Sequence, residues 1–330
     1  MGDININTST HQHVNTFLAC DWGTSSFRLA LVTWEGVIRQ VVRSDRGIAA
    51  TFREWKDRSG SEADRWDYFL NVIRAGIVEV EGRKGETLKG VPLVISGMAS
   101  SSIGMMNLPY GSIPFAVDGS DLTIHHKEAT KDFPYPVFLI SGVRSDDDVM
   151  RGEETQLVGV TQGVSSKGER LYVFPGTHSK HIRVVDGKAV AFTTYMTGEF
   201  FEVLSKKSIL ADSVEEGGVL HKPDNLENFK AGVFEGARNN LLNSAFHVRT
   251  RNLLDGRGKE ANYYFLSGLL IGSELAGISG PVTITGGEFI SACYQEALRV
   301  LDVADVTLAD GAEAVIKGQL QILKRSMVTK

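Results

Sequence analysis

An aspartate, a glycine and three hydroxyl side chains interrupt the apolar run FLACDWGTSSFRLALV, Phe17 to Val32. Asp21 can hold a hydrated magnesium ion, and Thr24 and Ser25 can donate hydrogen bonds to a polyphosphate. Burying an aspartate in a strand is costly unless it is paired or binds a cation, so its position asks for a ligand. Two further turns, Gly176-Thr177 in LYVFPGTHSKHIRVVDGKAVAF and Gly286-Gly287 in PVTITGGEFISACYQEALRVL, can also offer backbone amides to phosphate oxygens. Singly, each reads equally as a plain turn. Neither a Walker glycine-lysine loop nor a dinucleotide Gly-x-Gly-x-x-Gly occurs at these places, so a nucleotide site here is of another design.

DDDVMRGEETQLVG carries the other reactive groups. Asp146, Asp147 and Asp148 are adjacent and cannot all point one way, which reads as a solvated loop. Glu153 and Glu154 open a helix, where acids favour the amino terminus by about 0.3 to 1 kcal/mol. Arg151 offers a planar fork for a carboxylate, or an ion pair with the neighbouring acids. In VISGMASSSIGM a strand gives way to glycine and serines, of which Ser96, Ser100 and Ser101 could meet substrate hydroxyls or form an ordinary strand-to-loop transition. Thr197-Gly198-Glu199 reads as a helix cap followed by an acid in the first turn. His178 is either a turn histidine or a contact to a phosphoryl oxygen or water. Trp22 and the run Tyr263-Tyr264-Phe265 read as packing.

The elements that must position these groups repeat. Phe17 to Cys20, a turn at Gly23-Thr24, Phe27 to Val32 and then VIRQVV predict a three-stranded meander. The segment from Leu171 to Phe192 predicts another. Gly23 and Gly176 lie 153 positions apart, and Gly36 and Gly187 lie 151 apart. A period this long points to two similar domains and not to a solenoid. We expect a polar tail over residues 1–16 and domains over 17–145 and 146–330. Helices are predicted at 66–80, in TGEFFEVLSKKSIL, across GVFEGARNNLLNSAF, and in YYFLSGLLIGSELAGI, whose small residues suggest packing at a domain interface. Two strand-to-helix units, PVTITGGEFISACYQEALRVL and DVTLADGAEAVIKGQLQIL, close the chain.

Composition excludes several functions. A net charge of -5 with interspersed signs gives no basic field for nucleic acid or anionic membrane. No apolar stretch approaches the roughly 20 residues that span a bilayer, and the polar start has no signal-peptide core. Cys20 and Cys293 form no Cys-x-x-Cys pair, which fits a reducing, cytoplasmic setting. His11 and His13 read as part of the polar tail.

DWGTSSFRLAL, VMRGEETQLVG, PGTHSKH, TGEF and FLSGLLIGSEL resemble the 2-dehydro-3-deoxygalactonokinase family of the sugar kinase, actin and heat-shock chaperone superfamily. The resemblance runs from about residue 17 to 323. It implies an α/β fold of two ribonuclease-H-like (actin-like ATPase) domains with an active-site cleft between them. It also implies transfer of the ATP γ-phosphate to the 6-hydroxyl of 2-dehydro-3-deoxy-D-galactonate in galactonate breakdown. By its motifs Asp21, Gly23, Thr24 and Ser25 match a first phosphate loop, with Asp21 facing Mg2+ (or manganese). Gly176, Thr177, His178 and Ser179 match a second, and Gly286-Gly287 the adenosine side. Phe174 and Pro175 depart from the pattern by leaving no second aspartate. The resemblance implies Glu153, or next to it Glu154, as catalytic base, and Ser96, Gly97, Arg151 and Glu199 as substrate contacts. The alternative function is an actin- or chaperone-like nucleotide-binding regulator, although no peptide-binding or helix-turn-helix segment is evident. One sequence does not fix the oligomeric state.

Overall fold

Alternating apolar runs and glycine turns generate two compact units in the computed structural model, which describes residues 15–58 and 61–328. The first comprises the chain up to Val164 together with the segment from Glu313 onward; the second is Ser165–Ala312. Contacts thus divide the chain after Val164, where sequence placed the exchange after residue 145, and they return the carboxy-terminal helix to the first unit. Most of the polar tail, with His11 and His13, lies outside the described residues.

In the first unit β1 (Thr16–Trp22), β2 (Phe27–Thr33) and β3 (Ile38–Ser44) form the antiparallel meander. Helices α1 (Ile48–Arg58) and α2 (Glu62–Lys84) follow. The next segment contains β4 (Leu93–Gly97), the short strands β5 (Gly111–Ser112) and β6 (Phe115–Ala116), then β7 (Ile124–Lys127) and β8 (Val137–Ile140). The main sheet runs β3-β2-β1-β4-β8-β7, with β1, β4 and β8 parallel. Two-residue strands β9 (Val143–Arg144) and β10 (Val149–Met150) form a small ladder with β5, and α3 (Glu153–Val160) follows. Trp66, Phe69, Ile73, Ile77 and Val80 recur at helical spacing along α2 and are buried in the core with Leu29, Leu31 and Ile95.

The second unit repeats this order. Strands β11 (Glu169–Phe174), β12 (Ser179–Val185) and β13 (Lys188–Tyr195) form the meander. Helices α4 (Thr197–Lys207), α5 (Pro223–Gly236), α6 (Leu241–Leu254) and α7 (Lys259–Glu274) lead to β14 (Val282–Gly286), α8 (Glu288–Val300) and β15 (Val306–Asp310). Here β11, β14 and β15 are parallel neighbours, as β1, β4 and β8 are in the first unit. Finally α9 (Gly311–Val328) packs on α3: a Cβ on Gly159 would overlap the Ala314 carbonyl, and one on Gly318 the Thr155 carbonyl.

Two expectations need correction. GVFEGARNNLLNSAF is not one helix: α5 ends at Gly236, and Asn240 starts α6 by accepting from Leu242 N at 3.0 Å. The small residues of α7 meet α5 inside the second unit. Gly268 and Gly272 lie against the backbones of Phe229 and Val233, and Gly232 and Gly236 against those of Phe265 and Leu269.

Candidate active site

Asp21 is the one residue of β1 that is not buried, and a third of its side chain is accessible. The register sets Asp21 opposite Arg28 on β2, with Nη1 at 4.0 Å from Oδ2, and beside Ser96 on β4. Loss of hydration among the surrounding strands raises the carboxyl of this partly accessible Asp21 above its ordinary pKa, and Arg28 offsets only part of this. Gly97 ends β4 at φ +86°, where a Cβ would stand 2.8 Å from the Trp22 carbonyl and 3.6 Å from Asp21 Oδ1. Only glycine suits that place. Gly152, also at positive φ, lies so near Gly97 that a Cβ added to it would stand 3.5 Å from the Gly97 Cα, so the start of α3 runs beside the end of β4.

The two glutamates then differ. Glu154 is 1% exposed; its Oε2 accepts from Gly152 N at 2.7 Å, and its Oε1 contacts Thr155 Oγ1 at 3.0 Å. Glu153 is partly exposed at the same helix start. Burial, and then the Glu153 charge, push the Glu154 carboxyl up to about 7. A raised folded pKa means that the associated stability is fully present below the ordinary 4.5 and is lost as pH rises through about 7. The loss is on the order of 3 kcal/mol. Chemical denaturation at pH 5 and pH 8 is expected to show wild type weaker at pH 8 and Glu154→Gln largely level, because the amide mimics the protonated acid.

Arg151 is committed to the loop after β4. Nη1 donates to Ser100 Oγ at 2.8 Å, Nη2 to the Leu108 carbonyl at 3.1 Å, and the guanidinium lies 4.0 Å from the Tyr110 ring centroid. Asp146 and Asp147 are exposed on the turn between β9 and β10, as a solvated loop requires. Ser96 is 1% exposed, and its hydroxyl accepts from Gln319 Nε2 at 2.8 Å; the same amide donates to the Cys20 carbonyl at 2.8 Å. Gln319 therefore ties α9 to the residues immediately preceding Asp21 and Gly97.

Both turns are held in the same way. In the first unit Thr24 and Ser25 are exposed, while the Gly23 and Thr24 carbonyls accept from Ile48 N and Ala49 N, both at 3.0 Å. Gly47 is pressed against Thr24 and Ser25 so closely that a Cβ would overlap their backbone. Trp22 is fully buried and donates from Nε1 to the Arg46 carbonyl at 3.1 Å. In the second unit the Thr177 carbonyl accepts from Glu199 N at 3.1 Å, and a Cβ on Gly198 would stand 2.5 Å from the Gly176 carbonyl oxygen. Thr197, expected as a cap, is instead the first residue of α4, after Met196. His178 Nε2 and Glu199 Oε2 pair at 2.6 Å on the exposed face of this turn. Phe174 is buried, so no carboxylate stands at the end of β11.

Gly176 also borders an apolar cavity of about 110 Å³, walled by Phe201, Tyr263, Ile271, Phe289 and Ile290. Gly286 and Gly287 lead into α8, whose second and third residues, Phe289 and Ile290, form part of that wall. A larger groove of about 440 Å³ runs along α2, yet Lys127 and Arg74 already cover its Trp66 and Phe133 rings. Sequence reasoning missed Arg28, Gly47, Gln319 and Glu274. Gly47 had a detectable signal, since it stands 151 positions before Gly198 just as Gly36 does before Gly187.

The repeated five-strand order, with a glycine-backed turn after each first strand, is the fold of actin-like ATPases and sugar kinases. The activator of 2-hydroxyisocaproyl-CoA dehydratase from Clostridium difficile shares it at 11% identity, with a TM-score of 0.50 over 95% of this chain and 96% of that one. Within that class, the chain belongs to the 2-keto-3-deoxy-galactonokinase family, whose model matches residues 21–322. The 2-dehydro-3-deoxygalactonokinase of Escherichia coli is 33% identical over 315 residues, 92% of this chain and 95% of its own length. A Rhizobium meliloti protein named "Probable 2-dehydro-3-deoxygalactonokinase" is 30% identical over 314 residues, 92% and 94% of the two chains. A solved structure from Sinorhizobium meliloti, described as a candidate 2-dehydro-3-deoxygalactonokinase, has a TM-score of 0.78 at 28% identity, over 94% of this chain and 96% of that one.

Proposed function

We propose that the chain transfers the γ-phosphoryl group of ATP to the 6-hydroxyl of 2-dehydro-3-deoxy-D-galactonate. The observation that carries this reading is that Gly97 lies close to Asp21 on one side and to Gly152, the residue before Glu153, on the other, within one unit of a chain of this family. The substrate hydroxyl oxygen forms the new bond to phosphorus as the bond to the ADP oxygen breaks and its electron pair leaves with ADP. The hydroxyl proton passes to the Glu153 carboxylate. Glu153 takes this role because its side chain is partly accessible, whereas both oxygens of Glu154 are engaged in the interior.

Asp21 fits a divalent cation. Among the described residues its partly accessible carboxylate has a basic side chain no closer than Arg28, and a single carboxylate suits an ion that keeps most of its waters. Bound there, Mg2+ would supply charge neutralisation for the phosphates. In the first unit Gly23, Thr24 and Ser25 offer a turn suited to phosphate oxygens, and in the second unit Gly176, Thr177 and His178 offer another. Gly286-Gly287 and the apolar cavity would take the adenosine. Gly97 would face the sugar acid, and Arg151 would order the loop beside it and hold positive charge toward its carboxylate. Ser96 and Glu199 would act by fixing β4 and the second turn. Two buried thiols, Cys20 and Cys293, favour a cytoplasmic setting. Among the described residues, no helix is long and apolar enough to cross a membrane.

An ATP-consumption assay tests the reading. Turnover should depend on 2-dehydro-3-deoxy-D-galactonate and exceed that with its gluconate-derived isomer. Asp21→Asn should remove most magnesium-dependent turnover. ATP use indifferent to every sugar acid would favour a nucleotide-driven regulator instead.

A further inference from the structure

Ser179, which follows the second turn directly, is fully buried, and its hydroxyl donates to Oε1 of Glu274 at 2.6 Å. The same oxygen meets Nε2 of His181 at 2.8 Å, and the Tyr294 hydroxyl donates to Oε2 at 2.6 Å. Thr197 also hydrogen-bonds this carboxylate. Burial would raise the Glu274 pKa, but the bonds from His181, Ser179 and Thr197 outweigh it and hold the carboxyl below its ordinary value. Glu274 itself is 5% exposed at the end of α7, a helix buried mainly through apolar residues and glycines.

A well-packed apolar side chain would serve stability at least as well as a buried ion in such a core. What the carboxylate adds is geometry. Its four donors come from three other elements, and each element borders the second turn or the apolar cavity. Ser179 follows Gly176–His178; Thr197 precedes Gly198, which backs that turn; Tyr294 and Thr197 line the cavity. We infer that Glu274 is a positioning residue for the nucleotide, fixing the second turn and the cavity wall to one another so that phosphate and base are recognised at a set separation. This rests on the reading that the second unit takes the nucleotide.

The test uses the full chain. Steady-state constants for ATP and sugar acid are measured on wild type, Glu274→Gln, Ser179→Ala and Tyr294→Phe, together with direct binding of a fluorescent ATP analogue. Glu274→Gln should raise the KM for ATP and the analogue Kd at least tenfold and leave the KM for sugar acid within twofold. The two single-donor variants should fall between. A folded Glu274→Gln with analogue Kd within twofold of wild type, or with both KM values raised alike, overturns the inference. If Glu274→Gln does not fold, an unchanged analogue Kd in both single-donor variants overturns it. Wild type that binds the analogue yet consumes no ATP with sugar acid defeats the proposed reaction alone; wild type that does not bind the analogue defeats both.

Discussion

Glu153→Gln is expected to keep nucleotide binding and to lose turnover by roughly 10²- to 10⁴-fold, the usual contribution of a positioned general base. The amide retains the size and polarity of the acid but cannot accept the hydroxyl proton. Its neighbour supplies the internal control, because Glu154 is buried with both oxygens bonded at the helix start. Glu154→Gln should therefore change the pH dependence of stability far more than kcat at neutral pH. Steady-state kinetics on the two variants, with nucleotide affinity measured separately, decide between them. A collapse of kcat in Glu154→Gln beside a near-normal Glu153→Gln would move the base by one residue.

The second large effect concerns the glycines behind the turns. Gly47→Ala and Gly198→Ala each place a methyl against turn backbone and not against a pliable side chain. The turn must shift, at a cost of about 1–3 kcal/mol typical of overpacking. Because each turn is also the proposed phosphate contact, kcat/KM for ATP should fall at least about tenfold in both. Gly82→Ala is the control: it lies within α2 with open space where the methyl would go, and alanine there should stabilise by up to about 1 kcal/mol. Thermal unfolding and kinetics on the three variants check this. Unchanged kcat/KM in both Gly47→Ala and Gly198→Ala would remove the turns from the nucleotide site.

Much of this architecture is legible in the sequence because it is local. Gly23, Gly36, Gly176 and Gly187 mark turns whose chemistry is set within a few residues, and the strands beside them are runs of apolar and β-branched side chains. The break between α5 and α6 is less visible. Nothing in Ala237 to Asn240 is a glycine or proline, and apolar residues at helical spacing continue on both sides of the Asn240 cap. The α7 stripe signalled a close helix crossing but not its partner, since small residues fit any backbone that approaches. Glu274 and Gln319 were hidden for a different reason. Ser179 is 95 residues before Glu274, and Cys20 is 299 before Gln319, so only the folded chain brings these partners together. Accessibility, too, separates Glu153 from Glu154, which adjacent positions on a sequence cannot do.

The return of α9 has a consequence for synthesis on the ribosome. Until residues 313–328 emerge, the nascent first unit lacks the amide that bonds Cys20 and Ser96, and α3 lacks the helix against which Gly159 packs. Residues 165–312, by contrast, are contiguous and can close their own core as soon as they leave the exit tunnel. The later-made unit can thus finish first, and the strand that carries Asp21 takes its final supports only after residues 165–312 have been made.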